Sequence, residues 1–254
     1  MFKKKKVVLI FIPMFFASGC SSSVNRELSP PEDTRWVNVE IKNPLPYTAP
    51  FPLEVRYISY KCKKKRISGF DGSIITEPSY NVISVSLQQQ SDDIWTGKVA
   101  TIGGGTCKWS LSAITLGIEY IDATHIEKDL VPGTAVGAEI AFDNDASKNG
   151  QFRIVDGDLK ITPKYYPYIR ERKILEKKKS LSLFGKESFI PYRALNLENI
   201  YFHPEIDERK ITRRIEPEKK IDGVYSKIIY PDGSIAPERT LFPDFNKVEK
   251  MEVK

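Results

Sequence analysis

The chain has 254 residues, with 39 Lys and Arg against 33 Asp and Glu and a formal net charge of +6. Four of those positive charges are Lys3 to Lys6. Once they are set aside, 35 basic residues face 33 acidic ones, about +2, which excludes the broad basic footprint of a nucleic-acid-binding protein. Hydrophobic residues make up 41 %, enough to bury a core as one large or two small domains, and with only His125 and His203 no zinc cluster is legible.

Lys3-Lys4-Lys5-Lys6 is followed by the apolar run Val7 to Ala17 and then Ser18-Gly19-Cys20. A basic start, a short apolar segment and small residues form a secretory signal. At about 1.5 Å per residue the run is too short to cross a roughly 30 Å hydrocarbon layer as a helix. Ala17-Ser18-Gly19-Cys20 resembles the lipobox of bacterial lipoproteins, departing from it at Ala17, where that family usually has Leu. The resemblance implies removal of residues 1–19, lipidation of Cys20, and, with Ser21-Ser22-Ser23 in place of an Asp after the cysteine, sorting to the outer membrane facing the periplasm. Residues 20–34 are Ser-, Pro- and charge-rich without periodicity and are expected to form a flexible tether.

From Trp36 to Tyr166 the apolar period is two. Leu53-Glu-Val-Arg-Tyr57, Ile83-Ser-Val-Ser-Leu87 and Ala138-Glu-Ile-Ala-Phe142 alternate, and Trp109, Leu111 and Ala113 are expected to face one way with Ser110 and Ser112 facing the other. Asp156-Gly157 between Phe152 and Ile161 predicts a hairpin. Turn clusters recur at 68–72, 103–105, 131–133 and 143–145. This pattern predicts a mainly β fold, an antiparallel Ig-like β-sandwich over 35–166. With Cys20 lipidated, Cys62 and Cys107 remain as an even pair, expected to form a disulfide that staples two strands, within one sheet or across the two, with Trp109 beside it.

The character changes at Pro167, and 167–254 is expected to be a smaller basic, strand-rich subdomain or an extension wrapped on the first domain. Ile169 to Lys179 is a helix or a charged strand, Asp207 to Asp222 is nearly all charge, Val224 to Ile235 is a strand and turn, and Pro243 to Lys254 is loose. Asp-Gly-Ser-Ile occurs at Asp71 and again at Asp232, from a duplicated domain or from shared turn chemistry.

Catalytic patterns are not legible. Gly103-Gly-Gly-Thr-Cys-Lys lacks the GxxxxGK[ST] spacing and precedes a strand, so it reads as a tight turn rather than a phosphate loop. No GxSxG elbow exists, and neither His125 nor His203 has a nucleophile in its sequence context. The chain is therefore read as a non-enzyme without a cofactor or metal. Tyr165, Tyr166, Tyr168 and Arg170 combine the residue types enriched at interface hot spots and are candidate partner-binding residues; the competing reading is an aromatic cap on the core.

The lipobox, Tyr60-Lys61-Cys62 with its basic run, and GGGTCKWSLSAITLGI at 103–118 resemble periplasmic lipoproteins that act as immunity proteins beside type VI secretion phospholipase effectors. The resemblance covers roughly residues 1–165 and implies a protein that binds and neutralises a phospholipase toxin. The alternative is a structural or assembly lipoprotein of the envelope or a secretion apparatus.

Overall fold

A computed structural model describes residues 24–174 and 176–252. Cys20 lies outside the described residues. The chain is mainly β, with 50 % strand and 4 % helix, arranged in three mixed sheets.

Two sheets form the sandwich. The larger runs Arg153–Asp156, Phe189–Leu195, Val136–Ala141, Trp109–Tyr120, Leu53–Ile67, Ile74–Val85 in spatial order. The smaller runs Leu159–Ile161, Asn199–Phe202, Trp36–Lys42, Ile94–Ala100, Gln88–Gln89. Alternation supplies the core. Val37, Val39, Ile41, Ile200 and Phe202 from the small sheet share one buried cluster with Leu53, Val55, Trp109, Ile114, Leu116 and Ile140 from the large one. Each such side chain contributes about 1.5–3 kcal/mol of transfer free energy when fully buried. The Tyr57 hydroxyl donates to the Ala100 carbonyl at 2.9 Å, tying the large sheet to the small one.

The sheets are mixed rather than antiparallel, for a reason rooted at Asp156-Gly157. Arg153–Asp156 and Leu159–Ile161 do not form the expected hairpin; they belong to different sheets. The turn, with Gly157 at φ 81°, carries the chain across the core as an arch. Phe189–Leu195 and Asn199–Phe202 form a second arch through Asn196 at φ 51°. The arches stack in parallel register, Arg153 opposite Tyr192 and Leu159 opposite Ile200. Polar side chains join the corners: Asn196 donates to Asp156 at 3.1 Å, and the Asp158 carboxylate accepts from the Asn199 amide at 2.9 Å. The second arch then pairs in parallel with Val136–Ala141 and Trp36–Lys42.

That stacking also corrects the expected boundary at 166/167. Residue 167 lies inside the strand Lys164–Arg172, and residues 189–202 complete both sheets of the sandwich. The third sheet contains Lys227–Ile229, Thr212–Ile215, Lys164–Arg172, Lys178–Phe184 and Leu130–Pro132. Ile169 to Lys179 is thus a strand that turns into its antiparallel partner, not a helix. Pro243 to Lys254 is not loose over its described part: Phe245–Lys250 is a short helix, capped by Asp244, that buries Val248.

Two local expectations also change. A bulge at Ser112, between the pairs Arg56–Ala113 and Tyr57–Leu111, reverses the strand's facing. Trp109 and Leu111 point into the core, and after the bulge Ile114, Leu116 and Ile118 do so in place of Ala113. Residues 24–34 are not a free tether. Trp109 Nε1 donates to the Asn25 carbonyl at 3.2 Å, Asn81 donates to the Arg26 carbonyl at 2.8 Å, and the Ser29 amide donates to Gly103 at 2.8 Å. Gly104 is required here: at φ +61°, a Cβ would stand 2.1 Å from the Ser29 carbonyl oxygen.

Candidate functional site

Two surfaces stand out, an arm and a groove. The arm begins where the strand Leu53–Ile67 loses one of its neighbours. Its pairing with Trp109–Tyr120 ends at Ile58–Ser110, while its pairing with Ile74–Val85 continues to Ile67–Ile74. At the point of departure a bulge lies between Ser59 and Lys63, and Cys62 sits in it, bonded to Cys107 with Cα atoms 5.3 Å apart. The disulfide therefore joins adjacent segments of one sheet rather than the two layers. The Ser59 hydroxyl donates to the Cys107 carbonyl at 2.5 Å and accepts from the Cys62 amide at 2.9 Å, and Lys61 donates to the Thr106 carbonyl at 2.9 Å. A two-stranded hairpin alone is marginal in water, so this clamp is what gives the arm a fixed base.

The arm ends in a turn made by Asp71, Gly72 at φ 73° and Ser73. The Asp71 carboxylate accepts from the Ser73 amide at 3.1 Å and its hydroxyl at 2.8 Å. Hydrogen bonds from Ser68 and Ser73 hold that carboxyl below the ordinary aspartate range. The second Asp-Gly-Ser-Ile makes the same turn, with Ser234 donating to Asp232 at 2.9 Å; the repeat is turn chemistry. Around the stem stand Lys61, Lys63, Lys64, Lys65 and Arg66. Lys64 and Arg66 reach the Glu77 carboxylate at 3.2 and 2.9 Å. The tip is apolar and bare: Phe70 is 99 % exposed, Ile67 74 % and Ile74 71 %.

The groove, of about 660 Å³, lies on the outward face of the small sheet. Asn38, Glu40, Thr96, Lys98, Asn199 and Tyr201 line it, all outward positions of three adjacent strands. Asn38 donates to the Asn199 side-chain oxygen at 3.0 Å, and His203 Nε2 lies 2.9 Å from Glu40 Oε1, so part of the lining is held in place by side-chain bonds.

The candidate tyrosines lie elsewhere and are core. Tyr165, Tyr166 and Tyr168 are 1, 3 and 6 % exposed. They sit on Lys164–Arg172, which is covered on both faces. Tyr165 and Ile169 join the sandwich core, whereas Tyr166 and Tyr168 pack with Phe184, Ile228, Tyr230 and Val248. Desolvation pushes the Tyr168 hydroxyl pKa up. Arg170 is half-buried on the same strand. Buried to this degree, the three rings serve as core and not as the exposed contact surface expected from the sequence.

His125 is fastened rather than poised. Its Nε2 lies 2.8 Å from Glu208 Oε1, which also accepts from the Tyr120 hydroxyl at 3.0 Å, and Tyr47 stacks on its ring at 3.7 Å. Burial, then Glu208, push the Tyr120 hydroxyl pKa well up, keeping it a donor. Among the described residues no serine, threonine or cysteine is bonded to this group. Among the described residues no cluster of three or more His, Cys, Asp or Glu has the geometry of a metal site, and no helix is long and apolar enough to cross a membrane.

The arm had a sequence signal, a basic run leading into Ser68-Gly-Phe-Asp-Gly72 between alternating segments, although its protrusion did not. The groove had none, because its lining comes from three strands far apart in the chain, Trp36–Lys42, Ile94–Ala100 and Asn199–Phe202. Comparisons with protein-family models, curated proteins and solved structures find no match for the chain.

Proposed function

We propose that this chain is an immunity lipoprotein, anchored through Cys20 at the outer membrane on the periplasmic side, that binds a type VI secreted phospholipase and neutralises it. It acts by binding and not by turnover. The observation that carries the reading is the groove: an open, pre-formed surface on a rigid sheet, lined by Asn, Thr, Tyr and single charges. Short polar side chains supply adaptable hydrogen bonds and Tyr supplies contact area at low entropic cost, the combination protein-binding surfaces favour. A surface already ordered before contact avoids the cost of ordering it in the complex. The Cys62–Cys107 bond is of a kind that persists in an oxidising compartment. The lipobox-like Ala17-Ser18-Gly19-Cys20 and the segment 103–118 support the address and the class.

The test mixes the purified protein with the phospholipase encoded beside its gene and follows phospholipid hydrolysis. Inhibition at near-equal molar ratio is expected. Tyr201→Ala should weaken it about tenfold, or about 1.4 kcal/mol, with an unchanged melting temperature. Full hydrolysis in the presence of excess protein would overturn the reading, and a pull-down that returns subunits of an envelope apparatus would put the assembly role in its place.

A further inference from the structure

We infer that the arm is a second membrane contact, its tip at Ile67, Phe70 and Ile74 entering the headgroup region of an anionic phospholipid bilayer while Lys63 and Lys65 meet lipid phosphates. Two observations point to a bilayer. The apolar side chains crown a convex end, with Ile67 and Ile74 cross-strand partners and Phe70 in the turn between them, each more than 70 % exposed. Such a crown suits a surface entered end-on.

Charge surrounds the stem instead of lying on one side. Successive residues of a strand point to opposite faces, so Lys63 and Lys65 project away from Lys64 and Arg66. The latter two share Glu77, whereas Lys63 and Lys65 form no ion pair among the described residues. An acidic patch on a protein would meet one face of the ribbon; a bilayer met tip-first presents phosphates to both. Asp71 adds a negative charge within the tip, folded back on Ser73, which sets the depth at headgroup level and not in the hydrocarbon.

Membrane contact by the arm stands apart from toxin binding by the groove, and either can fail alone.

The experiment uses the mature chain with Cys20→Ser, so that no lipid carries it, and sediments it with vesicles of phosphatidylethanolamine and phosphatidylglycerol or of phosphatidylcholine. Binding to the anionic vesicles is expected, weakening as salt rises. Phe70→Ser should lower partitioning about tenfold. Lys63→Glu with Lys65→Glu should lower it by more than tenfold at low salt, since each cation near such a surface is worth about fivefold. These exposed positions leave the thermal transition unchanged, which checks folding. Phe70→Trp should show a blue-shifted difference spectrum with anionic vesicles against the three native tryptophans. Absence of vesicle binding, or binding indifferent to Phe70→Ser, would overturn the inference. So would a Phe70→Ser protein that keeps its vesicle binding and loses toxin inhibition, which would make the arm a protein contact.

Discussion

The stacked arches and the arm are built from the same material, strands joined by a turn with a residue at positive φ, yet they end in opposite states. In the arches each strand lies against a second layer, and the inward residues Leu159, Ile161, Ile200 and Phe202 are buried in the main core even though Arg153–Asp156 and Leu159–Ile161 are edge strands of their sheets. Along Leu53–Ile67 the first half does the same, with Leu53, Val55 and Tyr57 buried, but beyond the bulge the residues are exposed or nearly so. The difference lies in what each strand lies against and not in strand propensity: the stem has no second layer, so its order is imported through the disulfide, Ser59 and Lys61. A region that contributes little to the core is free to carry charge and bare aromatics, and that is where a binding role costs the fold least.

Truncation should separate the two regions most sharply. Phe202 is fully buried, and Phe202→Ala should cost about 3–5 kcal/mol in urea unfolding. Phe70→Ala should fall within about 0.5 kcal/mol of the parent. Equal effects would break the contrast. Next in size is the clamp. Cys62→Ser with Cys107→Ser opens a separation of 45 residues, worth about 4 kcal/mol in the chain-entropy account and less where the native state is strained. Amide exchange should accelerate in residues 63–78 before it does in the arches. Uniform loss of protection would mean that the arm is not held mainly from its base. Smaller again, Gly104→Ala should cost about 1–3 kcal/mol, through the clash with the Ser29 carbonyl and a backbone conformation that alanine disfavours. Its signature is release of residues 24–29, read as proteolysis near Arg26.

Alternation was legible wherever it was regular, which is why the β class, the strands at 53–57 and 138–142, the disulfide pair and the glycine turn could be read directly. What misled was local chemistry with two possible long-range outcomes. Asp156-Gly157 serves a hairpin or an arch equally well, and only Phe189–Leu195 and Asn199–Phe202, far downstream, decide for the arch. Ser112 carries no bulge signal, so Ala113 and Ile114 exchanged faces unseen. Tyr165, Tyr166 and Tyr168 looked like an interface because polar and basic residues surround them in sequence; the helix at Phe245–Lys250 and the strand at Lys227–Ile229, which bury two of them, are too short to show periodicity. The groove is the extreme case, since its lining is set by strand order alone.

The smallest effect concerns the side-chain bond between the arm's foot and the short helix Asn144–Ser147. The Tyr80 hydroxyl donates to Asp145 Oδ2 at 2.7 Å. Desolvation, then the Asp145 carboxylate, push the Tyr80 pKa up to about 12. For Asp145, burial works to raise the pKa, but the Tyr80 and Lys148 bonds outweigh it and the value lies below the ordinary 3.8. A depressed carboxyl stabilises the fold above its unfolded pKa and loses that contribution as pH falls through the folded value. A raised tyrosine stabilises below its unfolded pKa, 10.0, and loses that contribution as pH rises through about 12. The bond should therefore count fully between about pH 5 and pH 9 and fade at both ends. Thermal unfolding of the parent and of Tyr80→Phe should differ by a constant few degrees across that window and converge in acid and in alkali. A difference that ignores pH would mean that Tyr80 steadies the foot of the arm by packing beneath Arg56 and Lys64, whose charges lie 5.5 and 5.3 Å from its ring, and not by its bond to Asp145.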